Sequence, residues 1–84
     1  MNTMENQEIL SQLNVIFVDV LDNKNIQLTN ETTAREIEEW DSLSHIQLIV
    51  AIEKHFKIKF TSMEIGGFKN VGDLVNTVQG KLSA

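Results

Sequence analysis

The chain contains no cysteine and no proline, and it is short of positive charge, with 7 Lys and Arg against 12 Asp and Glu. Without cysteine there is no disulfide framework and no thiolate metal site. The net charge of −5 has the wrong sign for nucleic acid, whose phosphates demand a basic footprint. Long apolar runs are missing as well. The longest, Leu48 to Ile52, falls far short of the roughly 20 residues that span a bilayer. The opening Met1-Asn2-Thr3-Met4-Glu5-Asn6 has neither the basic start nor the apolar centre of a signal peptide. We therefore expect a soluble, cytoplasmic protein with no membrane association. At 84 residues there is room for a single domain, residues 1–84, around one modest core. Its 42% hydrophobic content is enough to pack that core.

What the sequence does have is helical periodicity. Ile9, Leu10, Leu13, Ile16, Phe17, Val20 and Leu21 form one apolar stripe and predict a first helix from about Thr3 to Asp22. Asp22-Asn23-Lys24-Asn25 ends it with turn formers. Residues 23–41 have no clear period. Ile26 and Leu28 are expected to pin this connection to the core, and Ala34-Arg35-Glu36-Ile37 reads as one helical turn. So long a connection in so small a domain tends to be functional or mobile. Lys57-Ile58-Lys59-Phe60 reads as an extended tether. Thr61 and Ser62 then cap a short helix through Ile65 that Gly66-Gly67 ends. Asn70-Val71-Gly72-Asp73 resembles a capping box before a last helix with Val71, Leu74, Val75, Val78 and Leu82 on its stripe. The fold class is all-α, a small bundle of three main helices and one short one.

The most informative stretch is Trp40-Asp41-Ser42-Leu43-Ser44-His45-Ile46. Asp41 is a strong helix cap, which makes Ser42 the first residue of the second helix. A phosphate on the Ser42 oxygen would meet the free N–H groups and the positive dipole end of that helix. At about 100° per residue, Ile46, Ile49, Ile52 and Phe56 gather on a core face with Leu48 at its edge. Leu43 and Val50 fall on nearly the opposite stripe, in line with Gln47 and Lys54. Beside Ser42, that apolar pair on a polar face reads as a docking stripe, although single exposed apolar residues are common. Nine of the acids lie in residues 1–42, against Lys24 and Arg35. This is either an ordinary solvated surface or an acidic rim that steers basic partners toward Ser42.

Asp41, Ser42 and His45 also supply the residue types of a nucleophilic triad, and positions i and i+3 share a helix face. A triad needs an orienter on the far nitrogen of the histidine and an oxyanion hole around a substrate pocket. A bundle of this size offers little to build them, so no catalytic residue is expected and His45 reads as a boundary residue. His55 stands ten positions from His45, off the i,i+4 spacing of a helical metal pair, and no metal site is expected.

Asp41-Ser42-Leu43 opening the second helix, Glu53 and Phe56 near its end, the Ile58–Phe60 tether and Asn70-Val71-Gly72-Asp73-Leu74 opening the last helix come in a telling order and spacing. Together they resemble the acyl carrier protein family, over about residues 5–82. The resemblance implies a four-helix carrier-protein bundle, a monomer, whose serine is esterified with 4′-phosphopantetheine from coenzyme A by a separate phosphopantetheinyl transferase. By position that serine is Ser42, and Asp41 is the motif acid before it. The thiol of the arm would carry an acyl or aminoacyl group as a thioester to loading and transferring enzymes. In fatty-acid carriers a tethered chain can fold back between helices two and three. Ile46, Ile49, Phe60 and Ile65 are the candidates here to line such a pocket. Those carriers also have a glycine-containing turn before the motif and acids along helix two. This chain has Glu38-Glu39-Trp40 before it, and Ser44, Gln47 and Lys54 along the helix. That form is more similar to discrete carriers of polyketide, peptide or polysaccharide-linked pathways. Trp40 would be a hydrophobic plug before the helix, or an aromatic wall for the arm. The alternative is an unmodified helical interaction module that keeps the fold and binds a partner helix through Leu43 and Val50.

Overall fold

The structure, a computed structural model, describes residues 5–83. The described residues form four α-helices: α1 Asn6–Leu21, α2 Ser42–Phe56, α3 Ser62–Gly67 and α4 Val71–Ser83. A 3-10 turn, Ala34–Glu36, interrupts the long connection, and no strand occurs among the described residues. The expected all-α bundle is therefore the observed one. The part of the expected first helix before Glu5 lies outside the described residues. Asp22 ends α1 in the left-handed region at φ 53°, its N–H returning to the Val18 carbonyl.

The α1 stripe buries Ile9, Leu13 and Phe17 completely, and α1 packs against both α2 and α4. Val71, Leu74, Val75 and Val78 bring α4 into the same core. Each such side chain contributes about 1.5–3 kcal/mol relative to exposure, which orients the three long helices before any polar contact is counted.

On α2 the buried face differs from the expected one. Leu48 is 1% exposed and joins Ile49, Ile52 and Phe56 in the core, whereas Ile46 is 51% exposed. Exchanging Ile46 for Leu48 rotates the core arc by about 40° from the expected face, less than half a residue step. Apolar residues cover so much of this helix that two arcs compete, and packing on α1 selects the one with Leu48. The expectation that Ile46 faces the interior is thus corrected.

The long connection is held at several points. Asn14 on α1 donates its amide to the Ile26 carbonyl (3.2 Å) and accepts from the Leu28 N–H (2.7 Å). Ile26 and Leu28 are buried, as expected. Further along, the Asn30 carbonyl accepts from Gly72 N–H (2.7 Å) and the Thr32 carbonyl accepts from Val71 N–H (2.8 Å). Helix N-termini leave such N–H groups without intrahelical partners, so the connection caps α4 with its own backbone. Thr33 and Glu36 close a capping box around the 3-10 turn, after which Ile37 and Trp40 turn inward.

The shorter elements follow the same local chemistry. Glu53 accepts from Phe60 N–H (2.8 Å), which fixes the tether after α2. Thr61 and Glu64 form the capping box that opens α3. α3 runs two residues past the expected Ile65 and ends on Gly67; Gly66 and Gly67 are its last helical residues, and neither adopts the positive φ of a glycine cap. At α4 the expected box is modified. Asn70 accepts from Asp73 N–H, but the Asp73 carboxylate reaches back to Lys69 N–H instead of Asn70 N–H.

Candidate functional site

The start of α2 is built by a reciprocal cap. Asp41 has extended backbone and accepts from Ser44 N–H (2.9 Å), while Ser44 Oγ accepts from Asp41 N–H (2.8 Å). The Ser44 hydroxyl in turn donates to the Glu39 carbonyl (2.7 Å). The Ser44 N–H holds the Asp41 carboxyl below its ordinary value of 3.8. Sequence reasoning treated Ser44 as a surface position lacking an acid; it is a buried capping residue. The Asp-x-x-Ser spacing, a short version of the capping box, was the signal available for it.

Ser42 follows the cap as the first helical residue and is exposed. Among the described residues none is hydrogen-bonded to its hydroxyl. The capping work belongs to Ser44, so Ser42 Oγ is open to an external group without loss of an internal bond. Esterification there would set a phosphate at the N-terminal end of a 15-residue helix, the end whose dipole favours anions.

Beside Ser42 lies a half-open cleft of about 340 Å³, lined by Ala34, Trp40, Asp41 and His45 on one side and by Ile65, Gly66, Phe68 and Lys69 on the other. Trp40 serves as a plug and as a wall: it is buried edge-on against Phe17 at 4.9 Å and also faces this cleft. A buried indole N–H needs a partner, and it donates to His45 Nδ1 at 3.0 Å. His45 Nε2 lies 2.9 Å from the Ile65 carbonyl. A carbonyl only accepts and an indole N–H only donates, so the ring is the Nε2–H tautomer. Both nitrogens are engaged away from Ser42, which removes His45 as a base for that hydroxyl.

The remaining expected residues separate into groups. Leu43, Gln47, Val50 and Lys54 are all exposed on α2, Leu43 at 72%. Ile46 joins Leu43 and Val50 on the outer side, so the exposed apolar stripe has three members instead of two. Of the four residues expected to line a pocket, only Ile65 borders the cleft; Ile49 and Phe60 are buried in the core. His55 pairs with Gln12 of α1. Among the described residues no group of His, Cys, Asp and Glu is suited to a metal ion, and no helix is long and apolar enough to cross a membrane.

Comparison with known proteins points to one family. The family model described as phosphopantetheine attachment site matches residues 11–78. An acyl carrier protein of Borreliella burgdorferi is 33% identical over 76 residues, 90% of this chain and 95% of its own length. One of Thermosynechococcus vestitus is 28% identical over 81 residues, 96% of this chain and all of the relative. The solution NMR structure of a holo acyl carrier protein from Geobacter metallireducens superposes with a TM-score of 0.85 at 51% identity, covering 89% of this chain and 86% of that one.

Proposed function

The chain belongs to the acyl carrier protein family, non-enzymatic carriers bearing a covalent 4′-phosphopantetheine, and on that premise we propose that Ser42 is where the arm is attached. One observation supports this above the others: Ser42 is the exposed first residue of α2, its hydroxyl unengaged, at the rim of an aromatic-walled cleft. The arm supplies a terminal thiol, the group that holds cargo as a thioester. This chain's own residues do the rest. Asp41 and Ser44 hold the helix start rigid, and the positive end of the α2 dipole lies at the phosphate position. We take the working unit to be a single monomeric domain of the cytoplasm.

The partners of this reading are a phosphopantetheinyl transferase and the enzymes that load and transfer the acyl or aminoacyl group. Leu43, Gln47, Val50 and Lys54 are the proposed docking residues, and Ile46 is added because it shares their exposed side. Ile65 is the proposed cargo contact of the cleft. A role for Ile49 or Phe60 would require α2 and α3 to part. Ser44, Gln47 and Lys54 in place of acids along α2, together with the Trp40 approach to the motif, favour a specialised polyketide, peptide or polysaccharide-linked pathway over primary fatty-acid synthesis.

Incubation with coenzyme A, magnesium and a broad-specificity transferase, followed by intact-mass measurement, tests the attachment. The mass is expected to rise by one phosphopantetheine, and Ser42→Ala to abolish the rise. Wild-type protein left unmodified by several transferases would favour the other reading, an unmodified interaction module that uses the same Leu43 and Val50 stripe.

A further inference from the structure

His45 spans the seam between α2 and α3. From the second turn of α2 its Nε2–H donates to the Ile65 carbonyl of α3 (2.9 Å), while its Nδ1 accepts the indole N–H of Trp40 (3.0 Å). The Trp40 and His45 rings lie nearly parallel, 24° apart with centroids at 6.0 Å. On the other side His45 meets Phe68 edge-on at 6.4 Å, and Phe68 packs on Phe60 at 5.7 Å. The cleft beside Ser42 therefore ends on a wall made of Trp40, His45 and Phe68. Ile49 and Phe60 lie beyond its lining and are buried. For an apolar chain to pass this wall, the imidazole must give up both hydrogen bonds. The buried indole N–H and the Ile65 carbonyl would then face hydrocarbon, an uncompensated desolvation.

We infer that His45 is a bar across the α2–α3 seam, a specificity-determining residue that keeps an acyl cargo in the surface cleft and out of the core. The inference rests on attachment at Ser42. It distinguishes this chain from a carrier that hides its cargo: the thioester stays accessible, and a cleft of about 340 Å³ favours a short or compact cargo over a long chain.

The test loads the full chain with an octanoyl arm, using octanoyl-coenzyme A and a transferase, and follows backbone amides and the single tryptophan indole by NMR. In wild type, shifts are expected at Ser42 and from Ile65 to Lys69, with the amides of Ile49, Ile52 and Phe60 and the Trp40 indole N–H signal unmoved. In His45→Ala the indole signal is expected to move before loading, and the core amides to shift on loading. His45→Gln, whose amide offers both an acceptor to Trp40 and a donor to Ile65, is expected to behave as wild type. Core amides that move in wild type overturn the inference, and this arm alone decides it even if the Ala variant does not fold. A folded His45→Ala protein whose core stays silent overturns the role of His45. No mass increase on Ser42 overturns the attachment reading and this inference together, whereas a mass increase with core shifts overturns only this inference.

Discussion

Replacing Gly72 by Ala is expected to cost about 2 kcal/mol of stability, although it exchanges the poorer helix former for the best one. A β-carbon at this position would stand 2.8 Å from the Asn30 carbonyl oxygen, 3.2 Å from Asn70 Oδ1 and 3.3 Å from Asn30 Cβ. The nearest obstacle is backbone, so it cannot rotate away. Relief requires α4 and the long connection to separate where Gly72 N–H meets the Asn30 carbonyl at 2.7 Å and Val71 N–H meets the Thr32 carbonyl at 2.8 Å. Overpacking of this kind costs about 1–3 kcal/mol, and each weakened hydrogen bond about 0.5–1.5 kcal/mol. Against this stands a helix-propensity gain of at most about 1 kcal/mol. At about 4–8 °C per kcal/mol for a domain of this size, the net loss lowers Tm by roughly 10 °C, readable by far-UV circular dichroism. Gly66→Ala is the matched control. Nothing lies within 4 Å of a β-carbon there, so the same chemical change inside α3 is expected to raise stability by about 0.5–1 kcal/mol. If Gly72→Ala melts with wild type, or the two variants shift in the same direction, the close approach of the connection to α4 is not what requires glycine.

The two serines of the motif are expected to separate in denaturant unfolding. Ser44→Ala loses a buried capping partner and about 1–2 kcal/mol, Ser42→Ala changes stability by less than about 0.5 kcal/mol, and equal losses would refute the division between them. Because the folded state lowers the Asp41 carboxyl below 3.8, its contribution is present above that value and fades as pH falls through the lower folded value. The stability gap between wild type and Asp41→Asn is accordingly expected to hold steady from neutral pH until the ordinary carboxylate value is approached and to narrow below it, and a gap that widens on acidification would contradict the assigned cause. Val50→Asp, on the exposed side of α2, is expected to leave Tm nearly unchanged while slowing cargo loading; a large drop in Tm would mean that Val50 supports the core.

Much of the fold was legible because it rests on periodicity. The α1 stripe, the pinning of the connection by Ile26 and Leu28, the 3-10 turn and the α4 stripe all follow from spacing and turn chemistry. Reading α2 alone was less secure, since apolar residues cover most of its circumference and an arc centred on Ile49 fits nearly as well as one containing Leu48. Only the packing of α1 against α2 separates them, and no local signal carries that information. Length alone marked the connection as functional or mobile, but the contacts that hold it, Asn14 with Ile26 and Leu28 and the Asn30 and Thr32 carbonyls with α4, join residues far apart in sequence. At the site, Ser42 and Asp41 could be read from local capping rules. The contacts of His45 could not, because one of them reaches a carbonyl 20 positions away.

A carrier has to combine two demands that pull against each other: an attachment residue open to a succession of enzymes, and a helix start firm enough to aim the arm. A single serine that served as both cap and attachment point would surrender its capping bond when esterified, so modification would loosen the site it creates. Here the capping bonds pass through Asp41 and Ser44, and the Ser44 hydroxyl also reaches back to the Glu39 carbonyl. Ser42 is left with an exposed hydroxyl between them. Esterification at Ser42, as proposed, would therefore add a favourable phosphate–dipole interaction and remove none of the hydrogen bonds that hold the helix start. The same economy governs the wall behind it: Trp40 is fixed by Phe17 on the core side and by His45 on the cleft side. On the proposed reading the cleft would receive an arm or cargo while the core contacts that set the direction of α2 stay in place.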